Sequence, residues 1–116
     1  MTQSSTPVVI LDIEPDGPLL GSEADALDLI GRTYGTDTQL IAIPVERLDP
    51  GFFRLSTGIA GAFTQKFLNY RFRVAFIGDI AEHLAASSAL RDYVYESNSG
   101  NHVLFLPDRS ALAARF

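Results

Sequence analysis

The stretch Arg71-Phe72-Arg73-Val74-Ala75-Phe76-Ile77-Gly78 holds four consecutive apolar residues with no polar alternation. A strand with one wet face would alternate, whereas an unbroken run suits a strand covered on both sides. Working outward, the same kind of tetrad recurs as Val8-Val9-Ile10-Leu11, Leu40-Ile41-Ala42-Ile43 and Val103-Leu104-Phe105-Leu106. Each gap between tetrads holds a helical pattern. Strands buried on both faces need helices packed on the sheet, so the chain reads as an α/β domain.

The first strand is predicted over residues 8–13. It runs into Glu14-Pro15-Asp16-Gly17-Pro18, a turn signal, after which Leu19 and Leu20 are expected to return as a brief antiparallel edge strand. Ser22 is a good N-cap, with Glu23 and Asp25 favouring the positive helix end. Ala26, Leu27, Ile30 and Tyr34 mark an apolar face, and Gly35 can end that helix. The second core strand is expected over 38–45, followed by a loop or short helical turn over 46–55 anchored by Phe52 and Phe53. A helix over 56–70 would bury Ile59, Ala60, Phe63 and Phe67. After the third strand come a polar turn and a helix ending near Gly100, with Leu90, Tyr93 and Val94 inward. The last strand meets Pro107, and Asp108 caps a terminal helix through Arg115.

Composition narrows the function classes. The chain has 116 residues, 47% hydrophobic and 20% charged, which suits one folded domain over residues 7–116 behind a disordered tail over residues 1–6. The tail lacks the basic and apolar regions of a secretory signal. The absence of cysteine removes disulfides, thiolate catalysis and sulfur-bound metal, and fits a cytoplasmic protein. A net charge of −5 opposes nucleic acid as the main partner, and no run approaches the ~20 apolar residues of a membrane span.

In open α/β sheets, sites collect where strands end and helices begin. That rule selects Glu46, Arg47, Asp79 and Asp108 as a pocket rim, and above all Leu55-Ser56-Thr57-Gly58-Ile59-Ala60-Gly61. A phosphoryl group on a hydroxyl there would meet a favourable helix end. The plainer reading is a helix cap with glycines packing on the sheet. Asp79 reads either as an acid or base at a pocket rim or as a cap of the next turn. His83 and His102 lie in different elements without ligand-spaced partners, so no metal or other cofactor is expected. No serine carries a nucleophile-elbow pattern, and the glycines match no phosphate cradle. Lys66, Arg71 and Arg73, interleaved with Tyr70 and Phe72, form a basic–aromatic stretch that could stack on single-stranded nucleic acid. The stronger reading is structural: cations favour the negative end of a helix, and Phe67 and Phe72 are wanted by the core.

The order strand, edge strand, helix, then three strand–helix units resembles the STAS domain of bacterial anti-sigma-factor antagonists. In that family a Ser or Thr opening the second helix is phosphorylated by a partner kinase, and Ser56-Thr57-Gly58-Ile59 looks like that step. Leu55 stands where an Asp usually precedes the serine, and the loop before it is a few residues longer. The resemblance implies a mixed, mostly parallel sheet of four to five strands with packed helices. It also implies a non-catalytic regulatory module that meets a protein or kinase at Ser56, Thr57 and Gly58. A closer similarity, over nearly the whole chain, is to an uncharacterised bacterial group, domain-of-unknown-function family 4180. Its phrases appear as Ser22-Glu23-Ala24-Asp25-Ala26-Leu27-Asp28, Gln65-Lys66-Phe67-Leu68-Asn69-Tyr70-Arg71, Gly78-Asp79-Ile80, Ala89-Leu90-Arg91-Asp92 and Glu96-Ser97-Asn98. They name no activity.

Two other readings stand beside the interaction module. One is a small-molecule binder or minor enzyme, with a polar pocket between Thr57, Glu46 and Asp79 and a raised carboxylate pKa. The other is a homodimer joined through an exposed face of Phe52, Phe53 or Phe72.

Overall fold

The computed structural model describes residues 8–116; the tail expected over residues 1–6 lies outside them. Strands β1 (Ile10–Asp12), β2 (Leu40–Pro44), β3 (Arg73–Ile77) and β4 (Val103–Leu106) form one sheet in the order β1-β2-β3-β4. All three pairings are parallel. Strand order therefore follows chain order. Crossovers between parallel strands are right-handed, so a sheet that always steps the same way collects its crossover helices on one face.

That face carries the main core. Helices α1 (Glu23–Gly31), α2 (Ile59–Asn69) and α4 (Ser88–Ser99) pack on Ile41, Ile43, Val74, Phe76 and Phe105. The short α3 (Ala81–Ala86) precedes α4. On the opposite face α5 (Arg109–Arg115) sets Leu112 over Leu40, Ala42, Ala75 and Leu104. Among the described residues the architecture is a four-stranded parallel α/β sheet with five helices, compatible with a STAS-like fold.

Several expectations need correction. Leu20 does not add an antiparallel edge strand; it makes an isolated parallel bridge to Leu48, away from the sheet. The edge it would have covered is already limited by a β1 of three residues. In α1 the buried face is Ala26, Leu29 and Ile30, while Leu27 and the 94%-exposed Tyr34 face solvent. The helix ends at Gly31, so the apolar spacing that included Tyr34 ran past its last turn. Phe52 and Phe53, expected as candidates for an exposed dimer face, are buried, and Phe72 is half-buried against the core.

The other edge of the sheet is closed by one side chain. The Phe105 N–H donates to Asn98 Oδ1 (2.7 Å), and Asn98 Nδ2 donates to the Phe105 carbonyl (3.1 Å). Asn98 thereby supplies the amide pair that a further strand would have offered. The basic–aromatic stretch also has structural work. Lys66 pairs with Glu23 at 3.0 Å, and Arg73 lies over the Phe116 ring at 5.3 Å. Arg71 sits at φ 66°, where its N–H donates to the Leu68 carbonyl while the Phe72 N–H reaches Phe67. This pair of bonds closes the C-terminus of α2.

Between β2 and α2 the chain makes three 3-10 turns: Val45–Arg47, Pro50–Phe53 and Leu55–Thr57. Phe52 pins this connection into the core, its ring 4.9 Å from Phe76 and 5.3 Å from Phe53. Arg47, only 7% exposed, spans to the connection after β1. Its Nε donates to the Pro18 carbonyl (2.9 Å), and one terminal nitrogen to those of Glu14 (2.7 Å) and Asp16 (3.2 Å). Gly17, at φ +145°, is needed there: a Cβ would stand 2.8 Å from the guanidinium carbon. The loop that is long by sequence is thus a stitched structure.

Candidate functional site

The two hydroxyls at the start of α2 have different fates. Thr57 Oγ1 donates toward the Gly51 and Arg54 carbonyls, both at 2.8 Å, and accepts from the Ile59 N–H at 3.2 Å. It holds the last two turns together and leads the chain into α2. Gly58 follows in the left-handed region (φ 78°) and serves as the N-cap without a side-chain bond. The helix expected from residue 56 therefore begins at Ile59. Ser56 is exposed and makes no side-chain hydrogen bond among the described residues. One hydroxyl builds the loop; the other is free.

Ser56 borders a cleft of about 510 Å³ between the turns at residues 50–57 and the junction of α3 with α4. Its polar wall is Arg54, Ser56, His83 and Ser87. His83 is held flat against the buried Phe53 ring, with centroids 4.0 Å apart and 8° between planes. Ser87 is the N-cap of α4, its hydroxyl accepting from the Leu90 N–H at 3.1 Å. Arg54 is exposed and enters no ion pair among the described residues.

The remaining candidates lie elsewhere. Glu46, exposed, and Asp108 line a separate hollow of about 360 Å³ at the C-terminal ends of the strands, beside Asp12 and Arg109. Asp108 is a cap: the Ser110 hydroxyl (2.7 Å) and the Ala111 N–H (2.9 Å) both donate to it. These two bonds, the hydroxyl first, hold its carboxyl below the usual range. Asp12 is engaged by Arg109 at 2.8 Å, a bond that raises the Arg109 pKa. Asp79 accepts from the Ala81 N–H (2.9 Å) and starts α3. Arg47 is the buried stitch described above.

The pocket expected between Thr57, Glu46 and Asp79 is therefore not formed, since the exposed Thr57 spends its hydroxyl on the Gly51 and Arg54 carbonyls while Glu46 and Asp79 border different hollows. Every carboxylate with a resolved shift moves down: Glu14 through Arg32, Asp25 through the Gly21 and Ser22 amides, and Asp108. The sheet brings Asp12, Glu46 and Asp108 to one hollow at its strand ends but leaves Thr57 and Asp79 outside it. Its crossovers never reverse direction, so there is no switch point at which two strand ends splay to open a crevice. Among the described residues, no group of three or more His, Cys, Asp or Glu could hold a metal, and no helix is long and apolar enough to cross a membrane.

Sequence reasoning missed Arg54, Ser87 and the cleft role of His83. Arg54 had a local signal, lying two positions before Ser56 on a short turn. His83 and Ser87 had none, because only the packing of α3 against the Phe53 turn brings them there.

Comparison with known proteins agrees with the family phrases in the sequence. No curated protein and no solved structure matches the chain. The family model described as "Domain of unknown function (DUF4180)" matches residues 5–116, and the chain belongs to that family.

Proposed function

We propose that this chain is a non-catalytic regulatory module of the bacterial cytoplasm that acts by contact with another protein at the cleft edge carrying Ser56. The observation that carries this reading is the contrast between neighbouring hydroxyls. Thr57 is consumed by three hydrogen bonds, whereas Ser56 is exposed and unbonded at the rim of the cleft. The capped or ion-paired state of Asp79, Asp108 and Asp12 favours binding over acid–base chemistry.

Ser56, not Thr57, is then the hydroxyl open to a kinase. A phosphoryl group there would add about −1.5 to −2 charges beside Arg54 and change the docking preference of the rim. Incubation with candidate kinases and ATP, with phosphate mapped by mass spectrometry, tests the switch. Phosphate is expected on Ser56, unchanged in Thr57→Val and lost in Ser56→Ala. If neither substitution alters modification or partner binding, the switch is wrong.

A further inference from the structure

The chemistry of the cleft specifies its partner more closely, an inference that rests on the contact reading above. Its lining carries Arg54 and His83 but no Asp or Glu, in a chain whose formal charge is −5. Asp79 and Glu82 lie on the other side of His83, lining an adjacent hollow. Arg54, Ser56 and His83 have no hydrogen-bonding side-chain partners among the described residues, so an incoming acceptor would not have to displace one. The rest of the wall is apolar, with Phe53, Leu55 and Ala86 among its residues.

We infer that the cleft receives an acidic segment of a partner protein, with a carboxylate side chain on Arg54 and a neighbouring apolar side chain against Phe53 and Leu55. A guanidinium presents a planar fork that matches a carboxylate, which makes Arg54 the anchor. His83 supplies a ring N–H, and its stacking on Phe53 fixes the plane in which it donates. Ser56 supplies a hydroxyl. The cleft is too open to hold a small ligand tightly, so a small acid alone binds it only weakly: Arg54, Ser56, His83 and Ala86 are all exposed, whereas small-molecule sites bury most of their ligand. A protein segment gains the rest of its affinity from the surface around the cleft. Phosphorylation of Ser56 would place an anion where the acidic side chain docks, and so would repel this partner.

The test uses 3-phenylpropionate as a minimal carboxylate with an apolar body, beside its neutral amide and its amine analogue. Backbone amide shifts of the full chain are followed by NMR. The acid is expected to shift Arg54, Ser56, His83 and Ser87 saturably, with the amide weaker by roughly fivefold or more and the amine weaker still. Arg54→Ala should abolish the preference for the acid. A pool of random peptides containing a fixed Leu-Glu-Phe step should displace the acid, and the matching Leu-Gln-Phe pool should not. Equal binding of acid and amide, or shifts mapping elsewhere, would overturn the acidic partner. Failure of the Glu pool to displace the acid would overturn the peptide assignment. If peptides of either charge occupy the cleft equally, the contact surface stands and only its preference for acid falls. If no probe or pool shifts any cleft residue, both readings fall together.

Discussion

The two sides of the connection from β2 to α2 treat polar side chains in opposite ways. On the inner side Arg47 is committed to three carbonyls and Asp49 to the Gly51 N–H at 2.8 Å, and Thr57, though exposed, is likewise committed to the turns around it. On the outer side, a few residues away, Arg54 and Ser56 are exposed and uncommitted. The same residue types therefore do different work according to which way the turn points them. A polar group spent on the loop's own backbone is structure; one left unbonded at a cleft is available to a partner. The contrast predicts a graded series of effects, large on the inner side and near zero in stability on the outer.

The largest effect belongs to Phe52, which is fully buried and touches the rings of Phe53, Phe63, Phe76 and Phe105. Truncating it removes the anchor of the whole connection. Phe52→Ala should cost about 3–5 kcal/mol, measured by urea unfolding. A cost under 1 kcal/mol would mean that the connection does not depend on its buried ring.

Arg47 comes next. Arg47→Met keeps much of the buried stem but removes the donors to Glu14, Asp16 and Pro18. We expect a loss of about 2–3 kcal/mol, together with faster amide exchange at Leu20 and Asp49. Those two amides close the small bridge beside Arg47, Leu20 N–H to the Arg47 carbonyl and Asp49 N–H to the Leu20 carbonyl. Unchanged exchange there would show that the bridge holds without the guanidinium.

The sequence displayed the framework of this molecule better than its site, for a physical reason. Each core tetrad announces itself locally, because burial on both faces forces consecutive apolar residues, and all four tetrads contain the observed strands in whole or in part. Caps are equally local: Ser22 accepts from the Asp25 N–H and Asp108 from that of Ala111, as their positions suggest. Direction of a side chain on a 3-10 turn is not local. Arg47 looks like a rim residue by its place after a strand, yet the turn sends it inward. Leu20 sits in a turn-then-apolar pattern that fits a hairpin, but its backbone pairs instead with the Arg47 carbonyl and the Asp49 N–H. The cleft needed α3 folded back on Phe53, which no window of sequence contains.

Thr57→Val isolates the loop-building hydroxyl. It keeps the shape of the side chain but removes the bonds to Gly51, Arg54 and Ile59. The expected cost is about 1–2 kcal/mol. Ser56→Ala in the same assay provides the reference, and equal costs at both positions would erase the distinction between them.

A smaller effect depends on pH. Asp25 accepts from the Gly21 and Ser22 amides at 3.0 and 3.1 Å, which lowers its pKa in the folded chain. A depressed carboxylate contributes stability that is present above its unfolded pKa, about 4, and is lost as pH falls through the lower folded value. Stability should therefore decline on acidification below about pH 4, with a shallower decline in Asp25→Asn, which has no proton to take up. Parallel declines in the two proteins would assign the acid sensitivity to other groups.

The smallest stability effects belong to the outer side, and there the absence of an effect is the informative result. Arg54→Ala and Ser56→Ala remove exposed groups with no side-chain partners among the described residues, so each should change unfolding free energy by less than about 0.5 kcal/mol. Any loss of partner or probe binding in these variants then cannot be a folding defect. A larger destabilisation from Arg54→Ala would show that its guanidinium already serves the fold. The inner and outer sides would then differ in geometry but not in purpose, and the cleft would lose its only permanently charged cation as a docking group.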